Sequence, residues 1–376
     1  MSQLGGVGGV GGVGGVGGVG GVGGVGGVGG VGGVGPLAQF TGLYGFLGAG
    51  ETGAYDGLTT GGISVTAEAI RHLAGDRAAP EPSDLLPGDP ANFGRLAVWV
   101  RGSLYVSEFL SRMSWRNDEV DGKVAATLKI DGQDWVRLQR PSSTLLSAQS
   151  RRVLDYAALR DERSAEILSQ LGFPTAYFSM ILGLTNAEHP RSFELITATQ
   201  VAAAHAAMVM KIGLAVRRPD QVDGRIQPMI PTPAHFSFPS AHATEAYAVL
   251  TVLETLVERW GVFADQEARI RMLRGLAERI AVNRTVAGVH FPIDSWAGAV
   301  LGTAVGRAVL GRCGEAVARG STRLEATDVD FFDRDLRDSE AWAIAGLSCS
   351  ETKVSAEKSP IFSWLWGRAV TERQGR

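Results

Sequence analysis

The stretch Asn283-Arg-Thr-Val-Ala-Gly-Val-His290-Phe-Pro-Ile-Asp294 puts a cation, an imidazole and a carboxylate into one short run. Pro292 suits the first turn of a helix, which places His290 in the turn just before it. Asp294 then lies where it can accept a hydrogen bond from His290 Nδ1. Such a bond fixes the tautomer and leaves Nε2 as a nucleophile or a metal-type ligand. The plainer alternative is a buried structural His–Asp pair.

Upstream lies Pro239-Ser240-Ala241-His242. Ser240 is a good N-cap, and a helix N-terminus offers free N–H groups to an anion. His242, one step inside, can donate or accept a proton beside that anion. The alternative is ordinary capping with an incidental His. Further upstream, Lys211 and Arg218-Pro219 stand seven residues apart, nearly two helical turns, so both cations project from one face. Facing the inside of a bundle they are costly unless they meet an anion. Otherwise they form an exposed basic helix end, where Arg suits the helix dipole.

The pattern around these runs is helical. Apolar spacing predicts helices over 192–216, 240–260 (Tyr247, Leu250, Leu253, Leu256), 266–287 and 295–312. A long helix through Leu154, Ala157, Leu159 and Ile167 ends at Gly172, and Pro219 stops the 192–216 helix. Short connections predict antiparallel packing in a bundle. Val124–Ile130 and Gln133–Gln139 around Asp131-Gly132 read as a β-hairpin with a type I′ turn. A short helix is expected at Thr66–Leu73, and residues 76–93, with four prolines, read as a linker.

Taken together, Lys-x6-Arg-Pro, Pro-Ser-x-His and Arg-x5-His-x3-Asp resemble the vanadium haloperoxidase and type 2 phosphatidic acid phosphatase (PAP2) superfamily. The resemblance covers 205–300, and 145–315 as a helical bundle. It implies that Lys211, Arg218 and Arg284 bind the oxygens of a tetrahedral oxoanion, with Ser240 and the Ala241 N–H adding hydrogen bonds. It implies that His290 bonds the central atom, that His242 is the acid–base group opposite, and that Asp294 orients His290. The family usually has Gly where Ala241 stands. The N–H survives that change if φ there is negative, but the methyl crowds the bound group.

Two chemistries share such a pocket. In one, His290 attacks phosphorus to give a phospho-histidine and His242 protonates the leaving oxygen. In the other, His290 holds vanadate as the metal ligand, and hydrogen peroxide with halide yields a hypohalous species. His235, seven residues before His242, matches a second His in bromide-oxidising members and is added to the candidate catalytic set. An aromatic that often precedes the first-motif Lys by three is Met208 here, which favours the phosphatase side. The reading adopted is a vanadate-dependent haloperoxidase-like enzyme, with vanadate as cofactor and peroxide, halide and a small organic acceptor as partners. The alternative is a soluble PAP2-type acid phosphatase, and the second alternative a non-catalytic oxoanion-binding or assembly protein.

Composition sets the frame. Of 51 glycines, 21 lie in positions 5–35, in ten copies of Gly-Gly-Val closed by Gly35-Pro36. The repeat has no basic n-region and no compact apolar core, so it is no signal peptide. Two glycines per Val bury too little surface to offset ordering, which predicts a disordered tail. The expected fold class is all-α, a haloperoxidase/PAP2 helical bundle with a small β-hairpin and a disordered Gly-rich tail. Expected domains are 1–36 repeat, 37–142 accessory region with hairpin, 143–320 catalytic bundle and 321–376 C-terminal extension. Net charge −3 and a pI near 6.1 argue against nucleic acid as a partner. Cys313 and Cys349 form no metal-spaced pair. The uncharged stretches Ile167–Ala187 and Ser295–Gly306 are too polar or too short to span a bilayer. A soluble or cytoplasmic protein with no membrane span is therefore expected, with homo-oligomerisation left open.

Overall fold

The computed structural model describes residues 57–75, 84–120, 122–316 and 319–374. The expected disordered tail 1–36 lies outside the described residues, as does 76–83 of the expected linker. In chain order the elements begin with α1 (Gly57–Ala74), α2 (Val98–Ser111), β1 (Met113–Val120), β2 (Lys123–Ile130) and β3 (Gln133–Gln139). Then come α3 (Ser143–Tyr156), α4 (Arg160–Ser169), α5 (Thr175–Leu182), α6 (Pro190–Leu214), α7 (Ala241–Trp260), α8 (Gln266–Val286) and α9 (Pro292–Cys313). The chain closes with β4 (Arg319–Leu324), α10 (Asp333–Arg337), α11 (Ser339–Ala345), β5 (Leu347–Val354) and α12 (Pro360–Gln374).

Helix α9 is the axis of the bundle. Every residue in it except Thr303 is buried. A helix that is apolar all round can only be an interior one, and α9 packs most extensively on α7. Gly298, Gly302 and Gly306, one per turn, let the two backbones approach closely. A Cβ at Gly298 would stand 2.6 Å from the Ser240 carbonyl oxygen, and one at Gly306 2.6 Å from that of Ala248. At Gly302 it would overlap the Thr244 carbonyl outright. This close seam matters for the site: Ser240 N donates to the Asp294 carbonyl at 2.9 Å, tying the start of α7 to the start of α9. Gly302→Val is therefore expected to cost about 3 kcal/mol or more by forcing backbones apart. A thermal melt checks this, and an unchanged Tm would contradict the packing described.

The expected hairpin is present: Asp131 (φ 50) and Gly132 (φ 74) both take the positive φ of a type I′ turn. It sits in a larger sheet, ordered β1-β2-β3-β4-β5. Pairing is antiparallel except between β3 and β4, where Val136 lies opposite Thr322 in parallel register. β1 escapes a hydrophobic-alternation search because its polar strand is largely exposed. β4 and β5 escape it because their partners lie far off in sequence. Ala126, Leu128, Val136 and Leu138 turn inward and join the same core as α6, α7 and α9.

Three local expectations are corrected. The single helix expected up to Gly172 is two, α3 and α4, separated by a 3-10 turn at Ala157–Leu159. Tertiary ties flank that break: Tyr156 Oη donates to the Asp330 carboxylate and Arg160 Nε to the Val286 carbonyl. Within the expected linker, Asp89 caps a 3-10 helix at Pro90–Arg95, whose Phe93 ring meets Trp364 edge-on. The 192–216 helix ends at Ala215 in the left-handed region, before Pro219 is reached.

Candidate functional site

The loop between α6 and α7 folds back over the start of α9, and the starts of α7 and α9 meet beneath it. All nine residues singled out from sequence fall in this region. Lys211, Arg218, Ser240, Ala241, Arg284, His290 and Asp294 are buried, whereas His235 and His242 are partly exposed. The two partly exposed imidazoles thus lie on the side nearer solvent and His290 lies deeper.

His290 is fixed from both sides. Its Nδ1 stands 2.8 Å from Asp294 Oδ2, and Arg218 Nη1 stands 3.0 Å from its Nε2. A guanidinium only donates, so Nε2 is the acceptor and carries a lone pair, and Nδ1–H donates to the carboxylate. Asp294 Oδ2 also accepts from Ser237 Oγ and from Phe291 N–H at 3.0 Å. Asp294 Oδ1 is buried with no hydrogen-bond partner. Burial pushes the Asp294 carboxyl up to about 6, opposed by the Ser237 hydrogen bond and the Lys211 charge. Burial, then the Arg218 and Lys211 charges, hold His290 well below its ordinary value, so it stays neutral.

None of the three cations makes a salt bridge with a described residue, although Asp294 and Glu245 act on Lys211, Asp294 and Asp220 on Arg218, and Glu166 on Arg284 through their charge. Lys211 Nζ donates to the Phe236 and Ser237 carbonyls at 2.7 and 2.8 Å. Arg218 donates to the His235 and Val289 carbonyls and, through Nη2, to His235 Nδ1 at 2.9 Å. Arg284 has only long contacts, 3.3–3.4 Å, to Gln170 and the Ile167 carbonyl, and its Nε is buried without a partner. Burial lowers both arginines to about 10 and Lys211 well below its usual value. Buried cations held by dipoles alone are costly, and an anion among them relieves that cost.

The two outer histidines are set by the same groups. Because Arg218 donates to His235 Nδ1, the proton of that ring sits on Nε2. Burial, then Lys211 and Arg218, lowers His235 to about 4. His242 Nε2 donates to the Gln170 carbonyl at 3.0 Å. Burial, then the Arg284 charge, lowers His242 to about 3. Ser240 caps α7, its Oγ accepting from Ala243 N. Ala241 has negative φ, since Asp131 and Ala215 are the described non-glycine residues with positive φ. Its N–H therefore keeps the ordinary first-turn orientation.

Two residues of the site were not singled out from sequence. Ser237 lies in the quoted His235–His242 run, yet a serine in a loop carries no signal of its own. Gln170 is buried at the end of α4, where its Oε1 accepts from Asn283 at 2.9 Å and its backbone carbonyl from His242. It stands 113 residues from Asn283 and 72 from His242, so no spacing rule reaches it.

Residues 193–313 match the model of the PAP2 superfamily. That span runs from α6 through α9 and contains all nine residues singled out from sequence, while Gln170 lies outside it. Among solved structures the chain is similar to one described as the first transmembrane PAP2 type phosphatidylglycerolphosphate phosphatase from Bacillus subtilis. Identity is 21%, the TM-score is 0.36, and the likeness covers 44% of this chain and 83% of that one. No curated protein matches.

The expectations of no membrane span and of a soluble or cytoplasmic protein are corrected here. The helical run Pro190–Val222, which begins with α6, is long and apolar enough to cross a membrane. A search for uncharged stretches passes over this run because Arg191, Glu194 and Lys211 interrupt it. In the fold, 78% of its most apolar window is buried inside the protein.

Proposed function

We propose that this chain, whose residues 193–313 carry the PAP2 superfamily match, is a phosphoric ester hydrolase working through a phospho-histidine at His290. The observation that carries this is the set of three buried cations, none in a salt bridge with a described residue, with Lys211 and Arg218 beside the tautomer-fixed His290 and Arg284 beside His242. Three cations beside the Asp294 carboxylate, with burial pushing the neighbouring Glu245 carboxyl up toward its neutral form, suit a phosphate dianion, and two arginines offer forked donors to its oxygens.

The residues then divide the work. His290 Nε2 attacks phosphorus with its lone pair, and the ester P–O bond breaks. Asp294 takes up the growing charge through Nδ1–H, as a buried carboxylate does for a catalytic imidazole. The leaving oxygen takes a proton from His242. Water then gives a proton back to His242 and attacks phosphorus, the P–N bond breaks, and inorganic phosphate departs. In the free protein the Arg284 charge opposes protonation of His242. A bound dianion reverses that field and raises the imidazole toward the acid form. Ser240 and the Ala241 N–H add donors at the positive end of α7.

Purified protein is expected to hydrolyse 4-nitrophenyl phosphate, with orthovanadate inhibiting far below the concentration at which phosphate does, since vanadium accepts a fifth ligand as phosphorus does in the transition state. kcat/KM should fall as pH drops through about 6, where Asp294 takes a proton and His290 Nδ1 loses its acceptor. The second reading is halide oxidation, with vanadate held by His290, and the placing of His235 against Arg218 favours it. The residues fit the tetrahedral anion equally well, and bound vanadate would supply Lewis-acid activation of peroxide. Bromination of a phenol dye with vanadate, peroxide and bromide, without phosphate ester hydrolysis, would decide for that reading and against ours.

A further inference from the structure

A second cavity, of about 670 Å³, lies between α7 and α9 on the side closed by β4, β5 and α11. Its apolar wall includes Leu250, Val300, Ala304, Leu310 and Trp342, and the hydroxyl-bearing Thr251, Thr255, Thr303 and Thr322 also line it. Arg307 lines it from α9, thirteen residues beyond Asp294. That is about 20 Å along a helix, well away from the His290 cradle.

Arg307 is 8% exposed, and no hydrogen bond or ion pair ties it to any described residue. Its Nε and Nη2 are buried without partners. The contact its guanidinium does make is with the face of Trp135, 5.7 Å to the ring centre. Besides burial, the charge of another cation in the cavity wall, Arg319, opposes that of Arg307. Acids line the cavity too, but Glu254 is ion-paired with Arg274 at 2.6 Å and with Arg337 at 3.6 Å, and Glu258 is exposed. A buried guanidinium stays charged at neutral pH, and beside a second cation with no acid of its own that charge is uncompensated. A bound anion would compensate it, as in the first site. The cavity has the size and mixed lining of a small-molecule pocket.

We propose that this cavity is a second binding site, taking an amphipathic organic oxyanion whose charged head meets Arg307 and whose apolar body lies along Leu250, Val300 and Trp342. Inorganic anions would lack the body that the apolar wall calls for.

Cys349 gives a direct readout. It is exposed and lines the same cavity, whereas Cys313 is buried. Carbamidomethylation of Cys349 by iodoacetamide is followed by mass spectrometry on the full chain, with octanoate or phenylphosphonate added. One or both anions should slow labelling several-fold in a saturable way, and which does so identifies the head group. Arg307→Met should abolish the protection and Arg307→Lys should keep part of it, with Arg307→Gln replacing the Met variant if that does not fold. Protection should persist in Arg284→Met, where the first anion site is disabled, so failure of the hydrolase reading leaves this result untouched. Three results would overturn the proposal: no protection by either anion, equal protection in Arg307→Met, or equal protection by neutral octanamide.

Discussion

Replacing His290 with alanine is expected to lower turnover of 4-nitrophenyl phosphate by about 10⁴-fold or more, because it removes the nucleophile itself. The geometry makes the prediction sharp. Among the described residues, His290 is the imidazole whose tautomer is enforced from both sides, by Arg218 and by Asp294, which leaves a lone pair on Nε2. His235 is not expected to take its place, since Arg218 engages both imidazoles but only His290 is backed by a carboxylate, that of Asp294, among the described residues. The three cations remain in the variant, so phosphate binding should persist while turnover is lost. The variant also leaves Asp294 buried with one donor fewer, which costs about 1–3 kcal/mol. A melting curve taken alongside separates lost chemistry from lost fold. Turnover within tenfold of the parent chain, in a folded variant, would remove His290 from the reaction.

Arg284→Met carries the second large effect, and it runs in opposite directions in two assays. Arg284 is buried, makes only long hydrogen bonds and leaves Nε orphaned. An apolar side chain of similar length removes an uncompensated charge, so the free protein should melt no lower than the parent and by this argument higher. The same change removes a donor pair from the transferring phosphoryl group, and kcat/KM should fall by about 10³-fold. The stabilisation that orthovanadate gives the parent protein, a direct consequence of binding the folded state, should shrink or vanish. A structural arginine would behave otherwise: its loss would lower Tm and leave the vanadate shift intact. Parallel melts with and without vanadate distinguish the two.

The division between what was legible in the sequence and what was not follows from the range of the forces involved. Helices α6 to α9 announce themselves through local periodicity and through end signals such as Ser240 and Pro292, and their bounds agree with the expectation to within a few residues. The hairpin turn is equally local, because only residues tolerant of positive φ fit it. The larger sheet was hidden, since β3 pairs with β4 nearly two hundred residues away and a polar strand such as β1 has no periodic signature. The cradle residues were legible as a set because they fall in short runs at or near helix ends, although Arg218 stands in extended backbone beyond the end of α6 rather than on one helical face with Lys211, and His235 lies in the loop. Gln170 and Ser237 were not, because their roles come from tertiary placement alone. α6 misled the membrane search for a related reason. Lys211, the charge that breaks its apolar run, is there for the site and is buried with the rest of the helix.

The account centres on a covalent phosphoryl–His290 intermediate. The most direct measurement uses His242→Ala with 4-nitrophenyl phosphate, quenched in alkali and examined by peptide mass spectrometry. Nitrophenolate leaves without help from an acid, so phosphorylation should proceed, while attack by water, deprived of its base, should stall. The phosphoryl group is then expected on the peptide containing His290. A burst of nitrophenolate with no phosphoryl group on His290, or with the group on His235 instead, would contradict it.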